Sequence, residues 1–107
     1  NGDCFQPADI HHLFGISGIK AVMIARGAQW NASIFQAHRQ GASLLPLSQV
    51  SIDYLGWAHR LENPFGNTKY TLLQMWIGQG AKHEVSLLQS AKTYADLAAI
   101  WQVHLDK

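Results

Sequence analysis

Two glycine-containing turns carry the residues in this 107-residue chain best suited to chemistry, Asn1-Gly2-Asp3 and Ala25-Arg26-Gly27. The chemistry they suit is anion binding. Backbone N–H groups that converge at the start of a helix, with a cation beside them, hold a phosphate. Gly2 and Gly27 allow close backbone approach, and Arg26 can pair with phosphate through two parallel hydrogen bonds. Each turn also has an ordinary reading. Asn-Gly is a common hairpin signal, and an arginine after a strand is often simply solvated. Their joint spacing, with a helix and a strand between them, is the more specific observation.

The elements between and after the turns follow from local pattern. Pro7 suits the first position of a helix, and Ile10, Leu13 and Phe14 share one face of a helix running to Ile16. Ser17-Gly18 stops it. Ala21-Val22-Met23-Ile24-Ala25 reads as a strand buried on both faces of a parallel sheet, favoured over helix by the flanking Gly18 and Gly27. A short helix follows from Ala28, with Asn31 able to cap its second half. Residues 37–45 read as a linker. A lone strand leaves its backbone groups unpaired, so its partners are expected ahead of Asn1 or from another chain. In (β/α)8 barrels, phosphate sites commonly form from the loops after the last strands and a short extra helix. Loop, helix, strand and loop over residues 1–27 suit that arrangement.

From Pro46 the period is helical. Val50, Tyr54, Trp57 and Leu61 are expected to form one inward face. Glu62 to Gly66 breaks that helix. Asn67 can cap the next, with Tyr70, Leu73, Trp76 and Ile77 inward and Gly78 and Gly80 at its end. Val85 and Leu88 suggest a short third helix. Thr93 and Asp96 resemble a capping box ahead of a fourth, with Tyr94, Leu97, Trp101 and Leu105 inward. The expected fold is therefore an α/β fragment that is mostly helical. Its parts are the last βα units of a (β/α)8 TIM barrel over 1–40 and a small all-α helical bundle over 41–107.

Composition narrows the classes further. Charged residues make up 14% and apolar residues 48%, so an intrinsically disordered chain is excluded. The net charge of +1 neither demands nor excludes nucleic acid. A single cysteine, Cys4, rules out an internal disulfide framework and a cysteine-based zinc site. No metal site is expected from the histidines, because His11 and His12 cannot face one ion from one turn and His38, His59, His83 and His104 are dispersed. No apolar run approaches the roughly 20 residues of a membrane span.

The residues Asn1-Gly2-Asp3, Phe5, Pro7, Asp9, Gly18, Val22 to Ala28, Asn31 and Ile34-Phe35 resemble the end of the barrel of the tRNA-dihydrouridine synthases. Asn67-Thr68-Lys69-Tyr70 with Leu73-Gln74-Met75 is similar to the helical domain of the eukaryotic subgroup acting on D-loop position 20, as is Trp30-Asn31 with Ser33-Ile34-Phe35. Gln6, Lys20 and Ala32 depart from that pattern without touching the phosphate contacts. The resemblance implies FMN as cofactor, NADPH as electron donor and tRNA as partner. It implies that Asn1, Gly2, Asp3, Ala25 and Arg26 contact FMN. The proton-donating cysteine is implied on an earlier loop, so no catalytic residue is expected here, and Cys4 reads as a packed thiol.

The implied product is an oxidoreductase that reduces a tRNA uridine to dihydrouridine, monomeric as a whole protein and off the membrane. Its expected location is cytoplasmic, with nucleus and mitochondrion also open. The fragment alone is expected to be inactive. Arg60 and Lys69 are the candidate RNA contacts, with Lys82 and Lys92 behind them. Trp30, Trp57, Trp76 and Trp101 could stack on bases, but Trp57, Trp76 and Trp101 fall on faces expected to pack inward. Two other readings remain: a helical RNA- or protein-binding module without catalysis, and another FMN- or phosphate-binding TIM-barrel oxidoreductase.

Overall fold

A computed structural model describes residues 4–16 and 18–105. Asn1, Gly2, Asp3 and Ser17 lie outside the described residues. The chain divides into two compact units, 1–46 and 47–107.

In the first unit, α1 (Pro7–Phe14), α2 (Arg26–Trp30) and α3 (Ile34–Gln40) are helical. Asp9 fixes the start of α1: its Oδ2 accepts from the N–H groups of Phe5 (2.9 Å) and Gln6 (3.0 Å), which would otherwise be orphaned at the helix entry. Ile10 of α1 and Ile34 and Ala37 of α3 are buried, and these two helices pack together. Helix α3 runs on through residues 37–40, expected to be linker. It ends at Gly41 (φ 64°), where Ala42 N–H donates to Ala37 O (2.8 Å), a left-handed terminus that glycine makes without strain.

The expected strand over Ala21–Ala25 does not form among the described residues. The segment has no regular secondary structure, and Met23 is 74% exposed. The physical reason is the one that marked it as incomplete: a ladder needs a neighbouring strand, and no other described segment offers one.

The second unit consists of α4 (Leu47–Arg60), α5 (Phe65–Ile77), α6 (Lys82–Ser90) and α7 (Tyr94–Ile100). Its core is Leu55, Leu72, Met75, Trp76, Leu88, Ala91, Leu97 and Ala98. Trp76 stacks near Trp101 at 6.1 Å between ring centroids. The polar groups drawn inside are satisfied. Trp76 Nε1 donates to Ser51 Oγ (2.9 Å), and Ser51 donates to Leu47 O (2.8 Å). Tyr94, Thr68 and Asn63 form a second network that ties α7 and α5 to the α4–α5 turn.

Two inward faces differ from those expected. Helix α4 buries Val50, Ser51, Leu55 and Ala58, while Trp57 and Leu61 are exposed. Helix α5 buries Thr68, Leu72, Met75 and Trp76, while Tyr70 and Ile77 are exposed. Each helix is turned by about one residue, or about 100°, from the expected face. Both carry apolar residues on more than one side, and the neighbouring helices select the side that closes the core. Asn67 also lies inside the first turn of α5 rather than ahead of it, since Pro64 precedes the helix.

The start of α7 is as expected. Asp96 N–H donates to Thr93 Oγ1 (3.2 Å), and Asp96 Oδ2 accepts from Lys92 N–H (2.9 Å) and Thr93 N–H (3.2 Å). Thr93→Ala is expected to cost about 1 kcal/mol in urea unfolding. The carboxyls of Asp9 and Asp96 are both held below the ordinary carboxylate range. For Asp9 the main cause is the Phe5 N–H, then that of Gln6; for Asp96 it is the Lys92 N–H, then Thr93. A depressed native pKa stabilises the fold above the unfolded value of about 3.9. That contribution is lost as pH falls through the native value. Urea midpoints should therefore fall as pH drops below about 4, and Asp96→Asn should flatten that decline.

Candidate functional site

The turn at the start of α2 is the better-defined of the two candidate surfaces. Ala25 precedes the helix and Arg26 opens it, both exposed. The first N–H groups of any helix lack intrahelical acceptors. Beside them Arg26 places a guanidinium, 5.7 Å from the centre of the Phe5 ring. Phe5 in turn stacks on Trp30, with centroids 4.8 Å apart. The loop that follows residues 1–3 is thus bound by its aromatic ring to both ends of α2.

Gly27 makes the same connection through the backbone. A Cβ at Gly27 would lie 1.8 Å from the carbonyl oxygen of Cys4 and 2.9 Å from its carbonyl carbon. Only glycine allows this approach. The start of α2 is therefore in direct backbone contact with the loop at Cys4. Cys4 itself is buried, as a packed thiol. The donor set suits a phosphate: an exposed arginine at a helix start, beside a loop fixed at short range. Asn1, Gly2 and Asp3, the other expected contacts, lie outside the described residues.

The Asn31–Ser33 turn holds this region from behind. Asn31 Oδ1 accepts from Ser33 N–H (3.0 Å), and Asn31 Nδ2 donates to Leu45 O (2.8 Å). Leu45 N–H donates to Ser33 Oγ (2.9 Å). Asn31 does not cap α3 as expected: Ser33 precedes that helix, and Asn31 forms the turn between α2 and α3 instead.

In the helical unit, the two expected RNA contacts differ in kind. Arg60 is exposed at the end of α4, its guanidinium 4.7 Å from the centre of the Trp57 ring. Lys69 donates from Nζ to Gln89 O (2.8 Å) and Ala91 O (2.9 Å). Two of its three donors thus satisfy carbonyls at the end of α6, a favourable place for a cation. One donor is left for any other partner. Lys82 and Lys92 are exposed.

Of the histidines, His104 lines a groove with Arg60, and His38 packs against two other rings. His38 is half-buried against His11 (4.7 Å) and Phe14 (5.8 Å), and its Nδ1 is buried without a hydrogen-bond partner. Among the described residues, no three His, Cys, Asp or Glu side chains converge on a point. No described helix is long and apolar enough to cross a membrane.

Sequence reasoning missed three features of these surfaces. The role of Phe5 could have been found from its place between a turn and a helix carrying Trp30. The Cys4–Gly27 contact has no sequence signal. The outward Trp57–Arg60 pair does, because an aromatic and an arginine three residues apart on a helix are neighbours.

A glycine turn at a helix start, followed by a separate helical unit, is the class of protein described so far. The pattern of the dihydrouridine synthase (Dus) family matches residues 1–100, and the chain belongs to that family. It is 35% identical over 103 residues to the tRNA-dihydrouridine(20) synthase of Schizosaccharomyces pombe, which has NAD(P)+ in its name. The match covers 96% of this chain and 21% of that relative. The likeness is thus to the position-20 subgroup.

Proposed function

We propose that this chain is part of an FMN-dependent tRNA-dihydrouridine synthase. Residues 1–40 are the closing part of the FMN-binding barrel, and residues 41–107 are the helical domain that holds tRNA. The observation that carries this reading is the extent of the family match, which runs through both units rather than one. The exposed Arg26 beside a fixed loop supports it chemically.

In this reading Arg26 pairs with the FMN phosphate, and the Ala25 backbone and the Asn1–Asp3 turn complete the grip. Phe5 and Gly27 hold the Cys4–Phe5 loop against α2. When bound, FMN reduced by NAD(P)H supplies a hydride to the 5,6 double bond of a D-loop uracil, and an acid outside this chain supplies the proton. The target base has to leave its stack to be reached. The helical unit therefore has to hold the surrounding RNA, with Arg60 and the remaining donor of Lys69 as its phosphate contacts.

The test is a chimera. This chain replaces the matching segment of the S. pombe relative, and dihydrouridine at position 20 is measured in tRNA from cells lacking the endogenous enzyme. Restored dihydrouridine is expected, and Arg26→Ala should lower flavin retention by about tenfold or more, as for a lost charged hydrogen bond. A folded chimera that retains flavin but makes no dihydrouridine would sink the reading.

A further inference from the structure

Helix α4 turns Trp57 outward, 58% exposed, with the Arg60 guanidinium over its ring. Asp53, Gly56, Trp57, Arg60 and His104 line a groove of about 280 Å³ beside them. We propose that this groove takes one unstacked nucleotide of a tRNA, its base against Trp57 and its phosphate on Arg60. The proposal rests on the tRNA reading above and adds the place and the manner of contact.

The chemistry of the lining carries it. Unpaired bases are recognised by stacking on aromatic rings and arginine planes. A guanidinium already over the indole extends that platform, and its remaining donors suit a phosphate. Gly56 borders open space in the groove, where an added Cβ would meet nothing within 4 Å. Asp53 is oriented by Gln49, whose Nε2 donates to its Oδ1 at 2.9 Å. Its other oxygen can accept from a ribose hydroxyl or a base amine. A protein partner fits less well, because protein interfaces are depleted of aspartate and the Asp53 carboxylate lines this groove.

The test measures binding of this chain to a tRNA transcript by fluorescence anisotropy over a salt series. Trp57→Ala should weaken binding about tenfold with an unchanged salt slope, and Trp57→Phe should keep it within about threefold of the unmodified chain. Arg60→Gln should reduce the salt slope by about one. Circular dichroism should show unchanged helix content, since both residues lie outside the core. If both Trp57→Ala and Arg60→Gln bind as the unmodified chain does, the proposal is overturned and the face is left to protein packing. Phenylalanine as weak as alanine would overturn the stacking. If the unmodified chain binds no tRNA even at low salt, this proposal falls together with the tRNA role of the helical unit.

Discussion

Leu72→Ala is expected to destabilise the helical unit by about 2–5 kcal/mol, the range for deleting a fully buried leucine. Leu72 is 0% exposed and sits in the cluster with Leu55, Met75 and Leu97. Shortening it removes apolar contacts and leaves a cavity that four helices would have to close. A small domain has only about 5–15 kcal/mol to lose, so a large fraction of the unit should be unfolded at moderate temperature. Thermal circular dichroism checks this, with Leu87→Ala as the comparison. Leu87 is 39% exposed and should change the midpoint little. A midpoint for Leu72→Ala within a degree or two of the unmodified chain would show that the core lies elsewhere.

Gly27→Ala is the second large effect, and it acts on the first unit. The added carbon would have to occupy space 1.8 Å from the Cys4 carbonyl oxygen. The obstruction is backbone, so no side-chain rotation relieves it. The loop at Cys4 or the start of α2 has to move, at a cost of about 3 kcal/mol or more by comparison with overpacked cores. Hydrogen exchange at α2 should rise by about a hundredfold while α5 and α7 are unaffected. In the chimera, the same change should release flavin with Arg26 still in place if the proposed phosphate site is right, because it shifts the start of α2 that carries Arg26. Unchanged exchange at α2 would show that the contact is not a constraint on this unit.

The helix punctuation was legible because it is local. Thr93 and Asp96 are three residues apart and meet through one helical turn, whatever the rest of the chain does. The break between α4 and α5, at residues 61–64 rather than through Gly66, and the stop after Ile77 also need no distant partner. The inward faces of α4 and α5 were not legible in full. Trp57 and Leu55 are both apolar, and both lie on plausible stripes. Only the positions of α5, α6 and α7 decide that Leu55 enters the core and Trp57 remains outside. Lys69 shows the same limit. Its charge and place suggested a phosphate partner, while the end of α6 supplies two carbonyls to it across 20 and 22 residues of sequence.

The sequence by itself determined the family, the breaks between the helices after Pro46 and the start of α7. These depend on residue types within a turn or two of each other, or on matched motifs. The tertiary structure decided what no local pattern can carry: that Gly27 lies against the Cys4 carbonyl, that residues 21–25 meet no strand among the described residues, and that Trp57 and Arg60 stand together at an open groove. Each of these depends on the packing of distant segments, which is set by the volume and hydrogen-bonding groups that other helices or loops bring to the same place.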